Sequence, residues 1–310
     1  MSRTEQMTAQ RGANPYPDDP AVERRRAYDF EAVGTDRFRV EPWPSGLLRH
    51  YGGMVLSQCL AAAQETVSPE KSAHSLHAYF LKPGLVDEPL DIAVSRETDG
   101  RSFAMRQVRM TQGGKPVMNL MASFQIDEDS ADYLPAGPTD LPEPEGLENI
   151  FDIVGRLGDD LVRRHRPFWL RRHPVDWRPV EPFDFRKVEK SERPRHYWFR
   201  FYEPPGGDLR INQRLLAYAS DLHVLHAGMQ PMGIAPGNDH LQPSSLDHAM
   251  WFHAPFVLDD WMIYRLEPVA ASNSRALGRG SIFTREGRLV ATTLQQGLAR
   301  LLEEKRTASL

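Results

Sequence analysis

The chain holds one cysteine, Cys59, in 310 residues. That excludes an internal disulfide and any metal site built from several thiolates, and it fits a reducing compartment. Charge of one sign is not in excess. Lys and Arg number 38 and Asp and Glu 42, so the net charge is 38 − 42 = −4. Such a balance gives no overall electrostatic case for a nucleic-acid partner. No apolar run reaches the ~18–20 residues needed to cross a bilayer, and no membrane span is expected. The start of the chain is polar, with Asp18-Asp19 and Arg24-Arg25-Arg26, and lacks the apolar stretch of a secretory leader. The last three residues, Ala308-Ser309-Leu310, lack the central basic residue of a peroxisomal address. A cytoplasmic location is the resulting expectation. G-x-S-x-G, G-x-G-x-x-G, P-loop and H-E-x-x-H patterns are all missing. An α/β-hydrolase nucleophile, a Rossmann cofactor site and a zincin helix are therefore without support.

What is present is order. At ~100–200 residues per domain, the length suits one large domain or two modest ones. Residues 1–35 read as a tail that becomes ordered near its end, and Pro42 and Pro44 punctuate the entry to the core. Residues 52–67, GGMVLSQCLAAAQETV, are apolar almost all round, which marks a buried helix. The two glycines at its start suggest close backbone approach. Strand-like runs follow at 74–82, 90–96, 101–111 and 117–126. In the last of these Met118, Leu120, Ala122, Phe124 and Ile126 share one face. Residues 131–195 change character. Four prolines (Pro135, Pro138, Pro142, Pro144) mark a linker, and Arg163-Arg164-His165-Arg166 and Arg171-Arg172-His173 surround Phe168 and Trp169. That mixture suits either a phosphate grip or a solvated segment whose aromatics cover the core.

The order then repeats. A strand candidate at 198–202 precedes a helix over 209–228. Strand candidates follow at 250–253, 262–268, 275–284 and 289–298. Gly114-Lys115-Pro116-Val117 overlays Gly287-Arg288-Leu289-Val290 at an offset of 287 − 114 = 173, and Phe80…Pro83 overlays Phe252…Pro255 at 252 − 80 = 172. One helix followed by an antiparallel meander, present twice, predicts units over 36–130 and 196–303, with a short tail at 304–310. The two sheets can join edge to edge and so protect their edges.

Few residues suggest chemistry. Asp221 falls on the apolar side of the second helix, between Ala217, Tyr218, Val224 and Leu225. A carboxylate buried there is costly unless it has partners or a task, and burial raises its pKa. The alternative is an Asp at the edge of the stripe. Gln295 lies on the strand face of Leu289, Ala291 and Thr293, where its amide must find hydrogen bonds. Ser245 precedes Leu246-Asp247-His248. His74, His77, His248 and His253 read as satisfied structural histidines. His223 and His226 offer only an i,i+3 pair, short of a metal site, so no metal is expected. Cys59 reads as a small buried hydrophobe.

Six separated blocks in order carry a family resemblance: HYGGMVLSQCLAAAQETV, HSLHAYFLKPG, DGRSFAMRQVRMTQGGKPVMNLMASFQ, LLAYASDLHVLHAGMQPMG, LDHAMWFHAPF and GRLVATTLQQGLAR. The chain resembles the type II acyl-CoA thioesterases, the TesB-like family, from about residue 30 to 302, thinning between 130 and 195. The resemblance implies an α+β double hotdog, two helix-wrapped antiparallel units in one chain. It implies hydrolysis of acyl-CoA to a free acid and CoA without a cofactor, in a homo-oligomer, dimer or tetramer. Family members use an Asp, a Thr or Ser, and a Gln, which fall here on Asp221, Ser245 and Gln295. Met54 and Ser57 stand where relatives often have Gln and Gly. Under this reading the N–H of Gly53 is a candidate oxyanion donor and Met54 a candidate tunnel wall. Lys82, Arg101 and Arg106 are candidates for the CoA phosphates. A hotdog hydratase or dehydratase, and a non-catalytic acyl-CoA binder, are the rival readings.

Overall fold

The computed structural model describes residues 20–43, 45, 47–156, 167–170 and 173–303. Helix α1 (Pro20–Arg26), strands β1 (Glu31–Gly34) and β2 (Arg37–Val40), and helix α2 (Gly52–Gln64) open the chain. Strands β3 (Lys71–Phe80), β4 (Leu90–Asp99), β5 (Phe103–Gln112) and β6 (Lys115–Ile126) follow. Helix α3 (Ile150–Arg156) and strand β7 (Val175–Pro179) lead to β8 (Arg195–Phe201), helix α4 (Leu209–Ser220) and helix α5 (Val224–Met229). Strands β9 (Leu241–Ser245), β10 (Asp247–Phe252), β11 (Met262–Ser272), β12 (Arg275–Thr284) and β13 (Leu289–Leu301) close it.

All thirteen strands belong to one antiparallel sheet ordered β1-β2-β4-β5-β6-β3-β10-β13-β12-β11-β8-β7, with β9 added to β13. The seam between the two halves is β3 against β10, in the register Leu76↔Met250 and Tyr79↔Asp247. Pairing at the seam removes one edge from each half. The sheet is α+β in class and wraps two central helices, the double hotdog architecture.

The reason α2 is apolar all round is now visible. The sheet covers one side and α4 the other, so every residue from Gly53 to Gln64 is buried. The helices touch through polar atoms as well. Ser57 Oγ donates to the Arg214 carbonyl at 2.8 Å, Arg214 Nε donates to Gln64 Oε1 at 2.6 Å, and Tyr51 OH donates to the Tyr218 carbonyl at 3.0 Å. The two glycines serve this approach. A Cβ on Gly53 would overlap the Tyr218 carbonyl oxygen and the Tyr51 ring.

Two expectations are revised. The helix over 209–228 is two helices. His223 adopts a left-handed backbone, φ 74°, and turns the chain between α4 and α5. Asp221 therefore stands at the C-terminal cap of α4 rather than in mid-stripe. Residues 131–195 are more than a linker: β7 pairs with β8, and the Pro142 carbonyl accepts from Trp198 Nε1 at 2.9 Å. Toward its end the segment 1–35 carries α1 and β1, and Tyr218 OH donates to Glu23 Oε1 at 2.7 Å. Of the Arg-rich clusters, residues 163–166 and 171–172 lie outside the described residues. His173 and Trp169 lie inside them, buried among Phe151 and Phe168.

Candidate active site

The end of α4, the start of α2, and strands β9, β10 and β13 converge on Asp221. Its side chain is 9 % exposed. Gln295 reaches it from the middle of β13, where odd-numbered side chains point inward. Gln295 Nε2 donates to Asp221 Oδ1 at 2.8 Å and to Ser245 Oγ at 2.7 Å. Ser245 ends β9, and its hydroxyl donates to Asp221 Oδ1 at 3.3 Å. The carboxylate can only accept, so the amide nitrogen must be the atom that faces it. The three residues named from the sequence thus form one closed set of hydrogen bonds.

A residue that sequence reasoning left as structural fixes that amide. His248, fully buried on β10, faces Gln295 Oε1 through Nδ1 at 3.1 Å and Ser220 Oγ through Nε2 at 2.9 Å. Burial drives its pKa down to about 4, so the ring is neutral at pH 7, and only an Nδ1–H can satisfy the amide oxygen. Behind it Tyr264 OH donates to the Ser220 carbonyl at 2.8 Å and meets Thr293 Oγ1 at 2.8 Å. The one sequence signal for His248 was its inward position on a strand two residues beyond Leu246.

Burial pushes the Asp221 carboxyl up to about 6. Hydrogen bonds from Gln295, from the Gly53 backbone N–H and from Ser245 oppose that rise. The group is thus mostly ionised at neutral pH and a stronger base than an exposed aspartate. The N-terminus of α2 faces it, and its positive end favours the ionised form. Tyr51, the N-cap of α2, makes no side-chain capping bond, so a carboxylate from the other unit fills that position.

A cavity of about 280 Å³ reaches this set from outside. Gly52, Val55, Phe80 and Ser245 line it, with His50, Arg49 and Lys82 toward its other walls. Gly52 lines the cavity and packs its backbone close to the carboxylate. A Cβ there would sit 2.6 Å from Asp221 Oδ2 and 3.1 Å from the Phe80 ring.

The remaining candidates separate. Gly53 gives its N–H to Asp221, so in this arrangement it holds that carboxylate. Met54 is buried in the core, and its neighbour Val55 lines the cavity. Lys82 is exposed at the cavity. Arg106 is not at the site. It is 1 % exposed and spends its guanidinium on Thr66, Asp99 and the Thr98 and Met105 carbonyls inside the first unit. Arg101 is exposed in the turn before β5. His74 meets Ser123 Oγ and His253 meets Thr292 Oγ1. Cys59 is fully buried, and its thiol pKa is pushed up by burial. Among the described residues no group of three or more His, Cys, Asp or Glu could hold a metal ion, and no helix is long and apolar enough to cross a membrane.

Comparison with known proteins bears on both halves. Residues 39–125 match the family model described as the acyl-CoA thioesterase N-terminal domain, and residues 171–298 match that described as acyl-CoA thioesterase. Acyl-CoA thioesterase 2 of Haemophilus influenzae is 31% identical over 272 residues, which span 86% of this chain and 93% of that one. The crystal structure of an acyl-CoA thioesterase II, TesB2, from Mycobacterium marinum superposes with a TM-score of 0.72 at 31% identity, covering 92% of this chain and 99% of that one. A hot dog fold protein from Alicyclobacillus acidocaldarius superposes with a TM-score of 0.72 at 18% identity, covering 89% and 97%, a likeness of fold.

Proposed function

The chain belongs to the acyl-CoA thioesterase family, and from that premise we propose that it hydrolyses acyl-CoA to a free carboxylic acid and CoA, with Asp221 as general base. The observation that carries this reading is the hydrogen-bonded set of Asp221, Gln295 and Ser245 beside the cavity.

In this mechanism a water bound at the Ser245 end of the cavity loses a proton to Asp221 as its oxygen attacks the thioester carbonyl carbon. The carbonyl oxygen gains the electron pair of the π bond. The tetrahedral intermediate collapses, the C–S bond breaks, and the proton held by Asp221 passes to the departing sulfur. One water is consumed, and one acid and one thiol are released. Gln295 holds the carboxylate, and Ser245 Oγ, which keeps one lone pair, accepts from the water, so that position supplies part of the rate. Base assistance of this kind is worth roughly 10²–10⁴-fold. Lys82, exposed at the cavity, is suited to the phosphates of CoA.

The test is free-thiol release from a panel of acyl-CoA esters of increasing chain length, run beside enoyl-CoA hydration. The reading predicts thiol release without hydration. Hydration without thiol release would support a hydratase, and retention of acyl-CoA without either product would support a binder.

A further inference from the structure

His50 stands two residues before α2 and lines the same cavity as Ser245 and Gly52. Its backbone is fixed, since the His50 N–H donates to the Gly84 carbonyl at 2.9 Å and Arg49 bridges to Leu85. The ring is fixed too. It hydrogen-bonds the Leu85 carbonyl, which also accepts from Gln112 Nε2 at 2.8 Å. The other ring nitrogen, Nε2, is buried and has no hydrogen-bond partner among the described residues. A buried unpaired nitrogen is destabilising, and the mechanism above makes no use of it.

We propose that His50 Nε2 is a hydrogen-bond acceptor for a donor carried by the acyl-CoA, which makes this wall of the cavity a polar specificity subsite. The ring supports this in two ways. Burial lowers its pKa to about 4, so it is neutral at working pH. A neutral ring that donates through Nδ1 leaves Nε2 as an acceptor only. The complementary ligand group is therefore an N–H or O–H. Acyl-CoA offers two kinds of source: the N–H and O–H donors of CoA itself, on its pantetheine arm and adenosine, and a hydroxyl on the acyl chain. Carbonyl and phosphate oxygens are excluded, because both are acceptors. This inference rests on the thioesterase reading for the identity of the ligand.

The test is calorimetric binding of two non-hydrolysable thioethers, S-hexyl-CoA and S-(3-hydroxyhexyl)-CoA, to wild type, His50→Leu and His50→Gln. Leu removes the acceptor. Gln keeps one acceptor and one donor. His50→Leu is expected to weaken binding about five- to tenfold, with His50→Gln recovering most of it and all three proteins melting together. Loss with both thioethers assigns the donor to the CoA part shared by the two. Loss with the hydroxylated one alone assigns it to the acyl chain. Unchanged binding in His50→Leu overturns the subsite, and so does equal loss in both variants, which would assign His50 to cavity shape. Turnover of acyl-CoA by wild type is measured in parallel. Thioether binding that depends on His50 without any turnover would contradict the thioesterase reading and leave the subsite standing.

Discussion

Gln295 Nε2 lies 2.8 Å from Asp221 Oδ1, joining the middle of β13 to the C-terminal cap of α4. The same nitrogen reaches Ser245 Oγ at 2.7 Å. Both amide hydrogens are therefore committed, and the amide oxygen is held by His248. This chain of bonds assigns different costs to its members.

Replacing Gln295 by Ala frees the carboxylate and the hydroxyl together, and kcat should fall roughly 10²-fold. Ser245→Ala should cost about tenfold, and Ser245→Thr, which keeps the hydroxyl, much less. Steady-state thiol-release kinetics on the three variants check the order.

His248→Phe leaves the buried Gln295 oxygen without its partner, while the Ser220 hydroxyl keeps its bond to the Ala217 carbonyl. The expected stability loss is on the order of 1–3 kcal/mol, with kcat falling more than KM changes, because the ring touches the positioning amide and not the cavity. Urea unfolding and thiol-release kinetics on the same preparation separate the two effects.

How much of this was legible from residues alone can be argued from the same groups. The repeat at an offset of 172–173 disclosed two units, because hairpin turns and inward-facing strand positions leave periodic marks. The left-handed turn at His223 left none, since histidine carries no signal for φ > 0 as glycine does. The apolar stripe alone therefore predicts one helix over 209–228 with Asp221 in its middle. Asp221 stood out because a carboxylate among Ala217, Tyr218 and Leu225 is out of place. Gln295 stands out as an amide on an inward strand face and Ser245 only as a loop serine; their catalytic roles come from the family resemblance. Their bonds to Asp221 span 74 and 24 residues, distances at which local pattern carries no information. Arg106 misled for the opposite reason. A strand arginine reads as exposed, yet here it is spent on the first unit's own carbonyls.

The paired glycines make a contrasting prediction. Gly52→Ala places a methyl 2.6 Å from Asp221 Oδ2. The carboxylate must move, and kcat should fall at least tenfold with a small change in melting temperature. Gly53→Ala strikes the Tyr218 carbonyl instead, so α2 and α4 must part and the melting temperature should drop by several degrees. Thermal melts beside kinetics on the two variants read the difference.

The pH profile follows from Asp221. A base with a pKa of about 6 is lost as pH falls, so kcat/KM should decline below pH 6 and level off above about 7. The stability sign is opposite. The folded carboxyl holds its proton up to about 6, against 3.8 for the ordinary group. Its contribution is therefore present below pH 4 and lost as pH rises through 4 to 6. Asp221→Asn should flatten the acid limb of any residual activity and raise the melting temperature at pH 7, as differential scanning calorimetry would register.

The most direct measurement is thiol release from acyl-CoA by wild type and Asp221→Asn at pH 7.5, on proteins with matching circular dichroism. Proton transfer to Asp221 predicts robust turnover in wild type and a kcat at least roughly 10²-fold lower in the variant. Equal turnover by the two proteins would contradict it.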